Sequence, residues 1–225
     1  MKNCIFVSVL IAGFFSLVPK EASAELPDGF VYLKDVDSSI QVDVRYATAN
    51  NFVGKKVDGY RAKKIIISRR AAEALVKAQA ELAKDGYSLK VFDAYRPQRA
   101  VSHFMRWVRD RKDQKTKAKY YPDIEKSTLA GGGYISGKSS HSRGSTVDLT
   151  LVKQGKGEVD MGTSFDYFGP ESSHNSSKVS AEQKTNRQRL KSAMDGAGFY
   201  SYHKEWWHYT LRNEPFSRAF DFPVE

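Results

Sequence analysis

From Phe30 to Leu33 and from Ile40 to Val44, apolar residues recur in short runs of β type, with Asp35, Asp37 and Ser38 between them; two early strands are predicted. Asn50, Asn51 and Gly54 mark a loop, and Asp58-Gly59 marks a tight turn ahead of Ile65-Ile66-Ile67, a buried strand. Ser68 then caps the clearest helix, in which Ala71, Ala72, Leu75, Ala78 and Leu82 form one stripe while Arg70, Glu73, Lys77, Glu81 and Lys84 lie elsewhere, and Gly86 ends it. Tyr87 to Phe92 returns to strand character. Pro97 opens a second helix that runs through Trp107, with His103 along it.

Residues 111–138 break the rhythm. Lysine-rich sequence leads to Tyr120-Tyr121-Pro122-Asp123 and Gly131-Gly132-Gly133, which predicts a long surface loop with one short helical turn. Thr146 to Val152 alternates as a strand, and a polar loop containing His174 follows. Ser180 with Gln183 forms a capping box for a helix turning Leu190, Ala193, Met194 and Ala197 inward. Gly198 leads into Phe199–Tyr202, with His203 near a last turn, and a final strand is predicted over Trp206–Leu211. Several connections between strands are too short for parallel crossovers. The expectation is a single-domain α+β fold with a mainly antiparallel central sheet and flanking helices, over residues 25–225.

Residues 1–24 read as a cleavable export signal: Lys2, an apolar run from Ile5 to Val18, and small residues at Ala22-Ser23-Ala24. That run of about 14 residues is shorter than the roughly 20 that span a bilayer, so no stable membrane insertion is expected after cleavage, and the product would be periplasmic or secreted. Cleavage would also remove Cys4, the one cysteine, leaving a domain without disulfides. The loss of Lys2, Lys20 and Glu21 takes the formal charge from +10 to +9. A charge spread through every segment fits solubility and weak attraction to anionic envelope polymers. Nucleic acid is excluded as a partner, since no reading motif accompanies the scattered basic residues.

The chemistry concentrates in three places. Ser139 to Asp148 is a polar, glycine-containing loop that delivers His141 and runs into a strand with Asp148 near its start. Glu205-Trp206-Trp207-His208 sets a carboxylate and an imidazole in aromatic surroundings. Two imidazoles and a carboxylate, His141, Asp148 and His208, would leave a fourth position on one zinc ion open, with Glu205 as general base. Residues three apart on a regular strand face opposite ways, so Glu205 and His208 converge only if Glu205 sits in the preceding turn or a bulge intervenes. Thirdly, Phe92 to Pro97 ends a strand and starts a helix, with Arg96 placed to hold a carbonyl oxygen as it gains charge. Taken singly, each has a bland alternative: His141 and Asp148 as a structural pair, Arg96 as a salt-bridge partner, Trp206, Trp207 and Tyr209 as core.

Together with Asp43 to Thr48, Asn50 to Phe52, Met161 to Asp166 and Phe220 to Pro223, these segments resemble the D-alanyl-D-alanine dipeptidases associated with vancomycin resistance, within the zinc D,D-peptidase group that shares a fold with the Hedgehog signalling domain. The resemblance covers nearly the whole of residues 25–225. It implies zinc at His141, Asp148 and His208, Glu205 as base and Arg96 as the carbonyl contact. It further implies that Tyr46, Ser139 and Asp166 hold a small dipeptide, Asp166 at its ammonium and Ser139 at its carboxylate. Thr146 departs from the alanine common in that motif, and the export signal departs from the cytoplasmic resistance enzymes. The implied activity is hydrolysis of D-alanyl-D-alanine in the cell envelope. Trimming of wall peptides by a zinc D,D-carboxypeptidase and zinc-stabilised binding of envelope polymer are the competing functions.

Overall fold

The computed structural model describes residues 25–225; the segment read as an export signal lies outside the described residues. Strand β1 (Phe30–Tyr32) leads into a one-turn helix α1 (Leu33–Val36), then β2 (Gln41–Val42) and β3 (Ile66–Ser68). Helix α2 (Arg69–Ala83) precedes β4 (Tyr87–Asp93), α3 (Gln98–Arg109) and a single turn α4 (Lys117–Tyr120). The chain continues as β5 (Thr146–Lys153), β6 (Gly157–Glu158), α5 (Ala181–Gly196), β7 (Phe199–Ser201) and β8 (His208–Leu211).

The central sheet runs β2-β4-β5-β8-β7, with β6 also on β5, while β1 and β3 form a separate antiparallel pair. All pairings in the central sheet are antiparallel except β2 with β4. That parallel pair at the edge is joined by the long crossover containing α2. The α+β expectation therefore stands. Strand β5 is buried on both faces along nearly its whole length, which makes it the spine of the molecule. Helices α2 and α5 lie together against one side of the sheet.

Local patterns act as expected where they were strong. The Ser68 hydroxyl accepts from Ala71 N, and Ser180 and Gln183 make both halves of their capping box. The stripe of α2 is buried, although Gln79 is buried with it, its Oε1 accepting from Leu89 N at 2.8 Å. On α5 the inward residues are Arg187, Leu190 and Met194, whereas Ala193 and Ala197 are half-buried. Arg187 is buried because its guanidinium donates to three carbonyls, those of Met161, Ser173 and Glu171, and so ties the 160–173 loop to the helix.

The structure corrects three expectations. The last strand starts at His208, two residues later than predicted, because Trp206 and Trp207 belong to the turn that precedes it. Residues 111–138 are not a loose surface loop: Tyr120, Tyr121, Lys126, Leu129 and Ile135 are all buried. Lys126 acts as the pin, its ammonium donating to Asp110 O at 2.8 Å and Asp113 O at 2.7 Å and lying 3.9 Å from the centre of the Trp107 ring. Lysine-rich composition reads as solvated, and a buried lysine satisfied by carbonyls and a π-face escapes that reading. His174, placed in a polar loop, in fact lies half-buried with its ring against Tyr209, the centroids 5.8 Å apart.

Candidate metal centre

Strand register assembles the site. Asp93 on β4 pairs with Asp148 on β5, and Asp148 pairs with His208 on β8, so three functional side chains stand abreast on one face. An irregularity between Val91 and Asp93 shifts the register and brings Asp93 opposite Asp148. His141 enters from a short 3-10 turn, Ser140–Arg143, whose start is capped by the Ser139 hydroxyl accepting from His141 N. Gly144 ends that turn in the left-handed region at φ 82°, and its Cα approaches Phe30 so closely that a Cβ would meet the ring at 2.2 Å.

The His141 Nδ1 stands 2.8 Å from Ala94 O, so this nitrogen carries the proton and Nε2 keeps its lone pair for a metal. Nε2 lies 3.3 Å from Asp148 Oδ2 and 3.4 Å from His208 Nδ1, and His208 Nδ1 lies 3.2 Å from Asp148 Oδ1. A tetrahedral zinc with bonds of about 2.0–2.1 Å has edges of roughly 3.3 Å between its donors, and the pairwise contacts here are of that length, with Asp148 meeting the two imidazoles through different oxygens. Asp148 Oδ1 is buried and has no hydrogen-bond partner among the described residues, an arrangement that a cation would satisfy. Burial alone would push the Asp148 carboxyl up, but the two imidazoles outweigh it and hold the group well below the usual carboxylate range.

Glu205 lies in the turn between β7 and β8, where its N–H donates to Tyr202 O and its carbonyl accepts from His208 N. This is the turn placement that convergence with His208 requires. Its Oε2 is 3.5 Å from His208 Nδ1. Burial, followed by the charges of Asp148 and Asp166, holds the Glu205 carboxyl well above its ordinary value. Arg96 donates through Nε to Asp93 at 2.9 Å and through Nη2 to Asp148 at 3.2 Å, with its guanidinium over the rings of Tyr46 and Phe104. Asp166 accepts from the Tyr46 hydroxyl at 3.0 Å and takes a left-handed backbone, φ 64°, the one non-glycine to do so among the described residues. Burial is the main reason that its carboxyl too is raised.

All eight residues singled out from the sequence, Tyr46, Arg96, Ser139, His141, Asp148, Asp166, Glu205 and His208, line one cavity of about 270 Å³. Its remaining wall includes Phe52, Phe104, Phe168 and Trp207, with Tyr134 and Ile135 from the 111–138 segment. A larger, open groove of about 910 Å³ between α2 and α5 has no comparable convergence of donors. His103 and His203 stay outside the site: His103 Nδ1 accepts from Asp58 N, and His203 is exposed. The Thr146 hydroxyl is accommodated by Thr210 Oγ1 at 2.9 Å across the strands.

Sequence reasoning passed over Asp93 and Tyr60. Asp93 is fully buried, accepts from both Arg96 and the Tyr60 hydroxyl, and lies 3.5 Å from His141 Nδ1. A carboxylate following directly on the apolar pair Val91-Phe92 at a strand end was the available signal for Asp93, whereas nothing near Tyr60 marked it.

An open cavity on an antiparallel sheet, with two imidazoles and a carboxylate converging as metal donors and a further buried carboxyl at their edge, defines a metallopeptidase centre. The chain belongs to the Peptidase_M15 family, described as D-ala-D-ala dipeptidase, whose profile matches residues 27–225. It is a zinc metallopeptidase of that family. It is 44% identical over 199 residues to a D-alanyl-D-alanine dipeptidase of Enterococcus faecium, covering 88% of this chain and 98% of that one. Identity is 43% over 201 residues to the D-alanyl-D-alanine dipeptidase of Enterococcus faecalis (88% of this chain, all of that one) and 43% over 197 residues to that of Streptomyces coelicolor (87% and 98%). No helix among the described residues is long and apolar enough to cross a membrane.

Proposed function

We propose that residues 25–225 form an exported zinc dipeptidase that hydrolyses D-alanyl-D-alanine in the cell envelope. His141, Asp148 and His208 would hold one zinc ion. The observation that carries this reading is the set of contacts of 3.2–3.4 Å linking His141, Asp148 and His208, with the Glu205 carboxylate 3.5 Å from His208 Nδ1. Names of relatives at 43–44% identity support the substrate.

When bound, zinc polarises a carbonyl and makes water acidic enough to ionise near neutral pH. Glu205 accepts the proton of the attacking water and passes it to the leaving amine. A divalent cation amid Asp148, Asp166 and Glu205 would offset the mutual repulsion that, after burial, raises the Glu205 carboxyl. Arg96 keeps Nη1 free of hydrogen bonds among the described residues, and this nitrogen faces the substrate carbonyl oxygen as charge develops there. Asp166, steadied by Tyr46, receives the ammonium, and the Ser139 hydroxyl donates to the carboxylate.

Export rests on the pattern of residues 1–24, and the formal charge of +9 after cleavage favours weak association with anionic envelope polymers. The deciding experiment measures zinc-dependent release of D-alanine from D-alanyl-D-alanine and from its amino-blocked analogue. Cleavage of the free dipeptide alone is expected, because Tyr46 and Asp166 close the amino end of the cavity while buried. Faster cleavage of the blocked analogue would establish the D,D-carboxypeptidase instead. No cleavage of either would end the peptidase assignment for these substrates.

A further inference from the structure

Five charged side chains line the cavity: Arg96, Lys138, Asp148, Asp166 and Glu205. A dipeptide with both ends free brings an ammonium and a carboxylate, and each needs a counter-charge. The ammonium has Asp166 at the buried end. For the carboxylate there are two cations to consider, and they are differently placed. Arg96 is committed to Asp93 and Asp148, its side chain 12% exposed between them. Lys138 is exposed at the rim, and its hydrogen bonding among the described residues involves only the backbone, its N–H donating to Ser136 Oγ at 3.2 Å. Its ammonium makes no ion pair among the described residues.

Lys138 is also adjacent in sequence to Ser139. The Ser139 Oγ accepts from His141 N, which leaves the hydroxyl hydrogen free to donate outward. A carboxylate between the two would receive one charge-assisted and one neutral hydrogen bond. From this juxtaposition we infer that Lys138 is a specificity-determining residue that receives the substrate's terminal carboxylate; the inference rests on the dipeptidase reading above. The dipeptide then lies with its ammonium inward at Asp166 and its carboxylate outward at Lys138. The two ends are selected by different means. Amino-terminal extension meets a buried wall, whereas carboxyl-terminal extension or amidation removes the charge that Lys138 pairs.

The test compares the KM for D-alanyl-D-alanine with the inhibition constant of its carboxyl-terminal amide, in the zinc-loaded wild type and in Lys138→Ala and Lys138→Arg. Loss of a charge-assisted bond at a solvated rim should raise the dipeptide KM in Lys138→Ala by about tenfold, with kcat changed little. Binding of the amide should be the same in both proteins, Lys138→Arg should retain most of the wild-type KM, and added salt should raise the wild-type KM toward that of Lys138→Ala. An unchanged dipeptide KM in Lys138→Ala, or an equal weakening of dipeptide and amide, would overturn the inference. Absence of D-alanine release by the wild type would sink the dipeptidase reading itself, and that outcome is seen before any variant is compared.

Discussion

Glu205 Oε2 stands 3.5 Å from His208 Nδ1, although the two residues are three apart and His208 begins a strand. A straight strand would have sent them to opposite faces. The turn from Tyr202 to Trp207 reverses the chain just before β8, with Tyr202 N donating to His208 O, and so brings the carboxylate round to the imidazole. Proximity without a place among the three converging donors is what separates a base from a ligand.

Glu205→Ala should therefore lose turnover by roughly 10²–10⁴-fold while keeping one zinc per chain. Metal analysis of the purified variant beside its kcat checks both halves. Loss of zinc along with activity would make Glu205 a ligand.

Asp93 holds Arg96 from behind and touches His141 without lining the cavity. Asp93→Asn should leave Arg96 less firmly aimed, with kcat falling by about 10–100-fold and KM changing much less. Breaking a buried ion pair should also cost about 3 kcal/mol of stability, read from denaturant unfolding. A variant with full kcat but lowered stability would confine Asp93 to a structural role.

Gly144→Ala places a Cβ 2.2 Å from the Phe30 ring at φ 82°, next to the turn that presents His141. Left-handed strain and overpacking together should cost about 2–4 kcal/mol and weaken metal retention. Gly155→Ala is the matched control, since φ is 73° but nothing lies within 4 Å. It should cost about 1 kcal/mol and spare the metal. Equal effects of the two substitutions on unfolding would show that the Phe30 contact is immaterial.

His174 titrates on the far side of the sheet from the metal. Burial, then the charges of Lys191 and Arg187, push its pKa down to about 4 from an ordinary 6.5, with Asp195 opposing. In this window the unfolded chain binds a proton that the folded chain refuses, so the contribution of His174 is full above about pH 6.5 and is lost as pH falls toward 4. The slope is at most one proton, about 1.4 kcal/mol per pH unit. His174→Gln should flatten the fall of Tm between pH 6.5 and 4 relative to wild type. Parallel curves for the two proteins would show that His174 does not contribute to that fall.

The sequence by itself determined the long helices and the chemical types at the centre. Helix α2 was legible because its cap and stripe are interactions within a few residues of one another, and the same holds for the capping box of α5. His141, Asp148, Glu205 and His208 stood out because those residue types, in polar or aromatic contexts, suit a metal and a base. Tertiary structure alone decided how they meet. The alignment of Asp93, Asp148 and His208 is a matter of register across three strands, shifted by one irregularity, and strand patterns repeat every two residues without specifying a partner. Lys126, Arg187 and Tyr60 were invisible for the same reason. Each is a polar residue buried by partners far along the chain, and burial of that kind depends on which carbonyls and carboxylates the fold brings within hydrogen-bond reach.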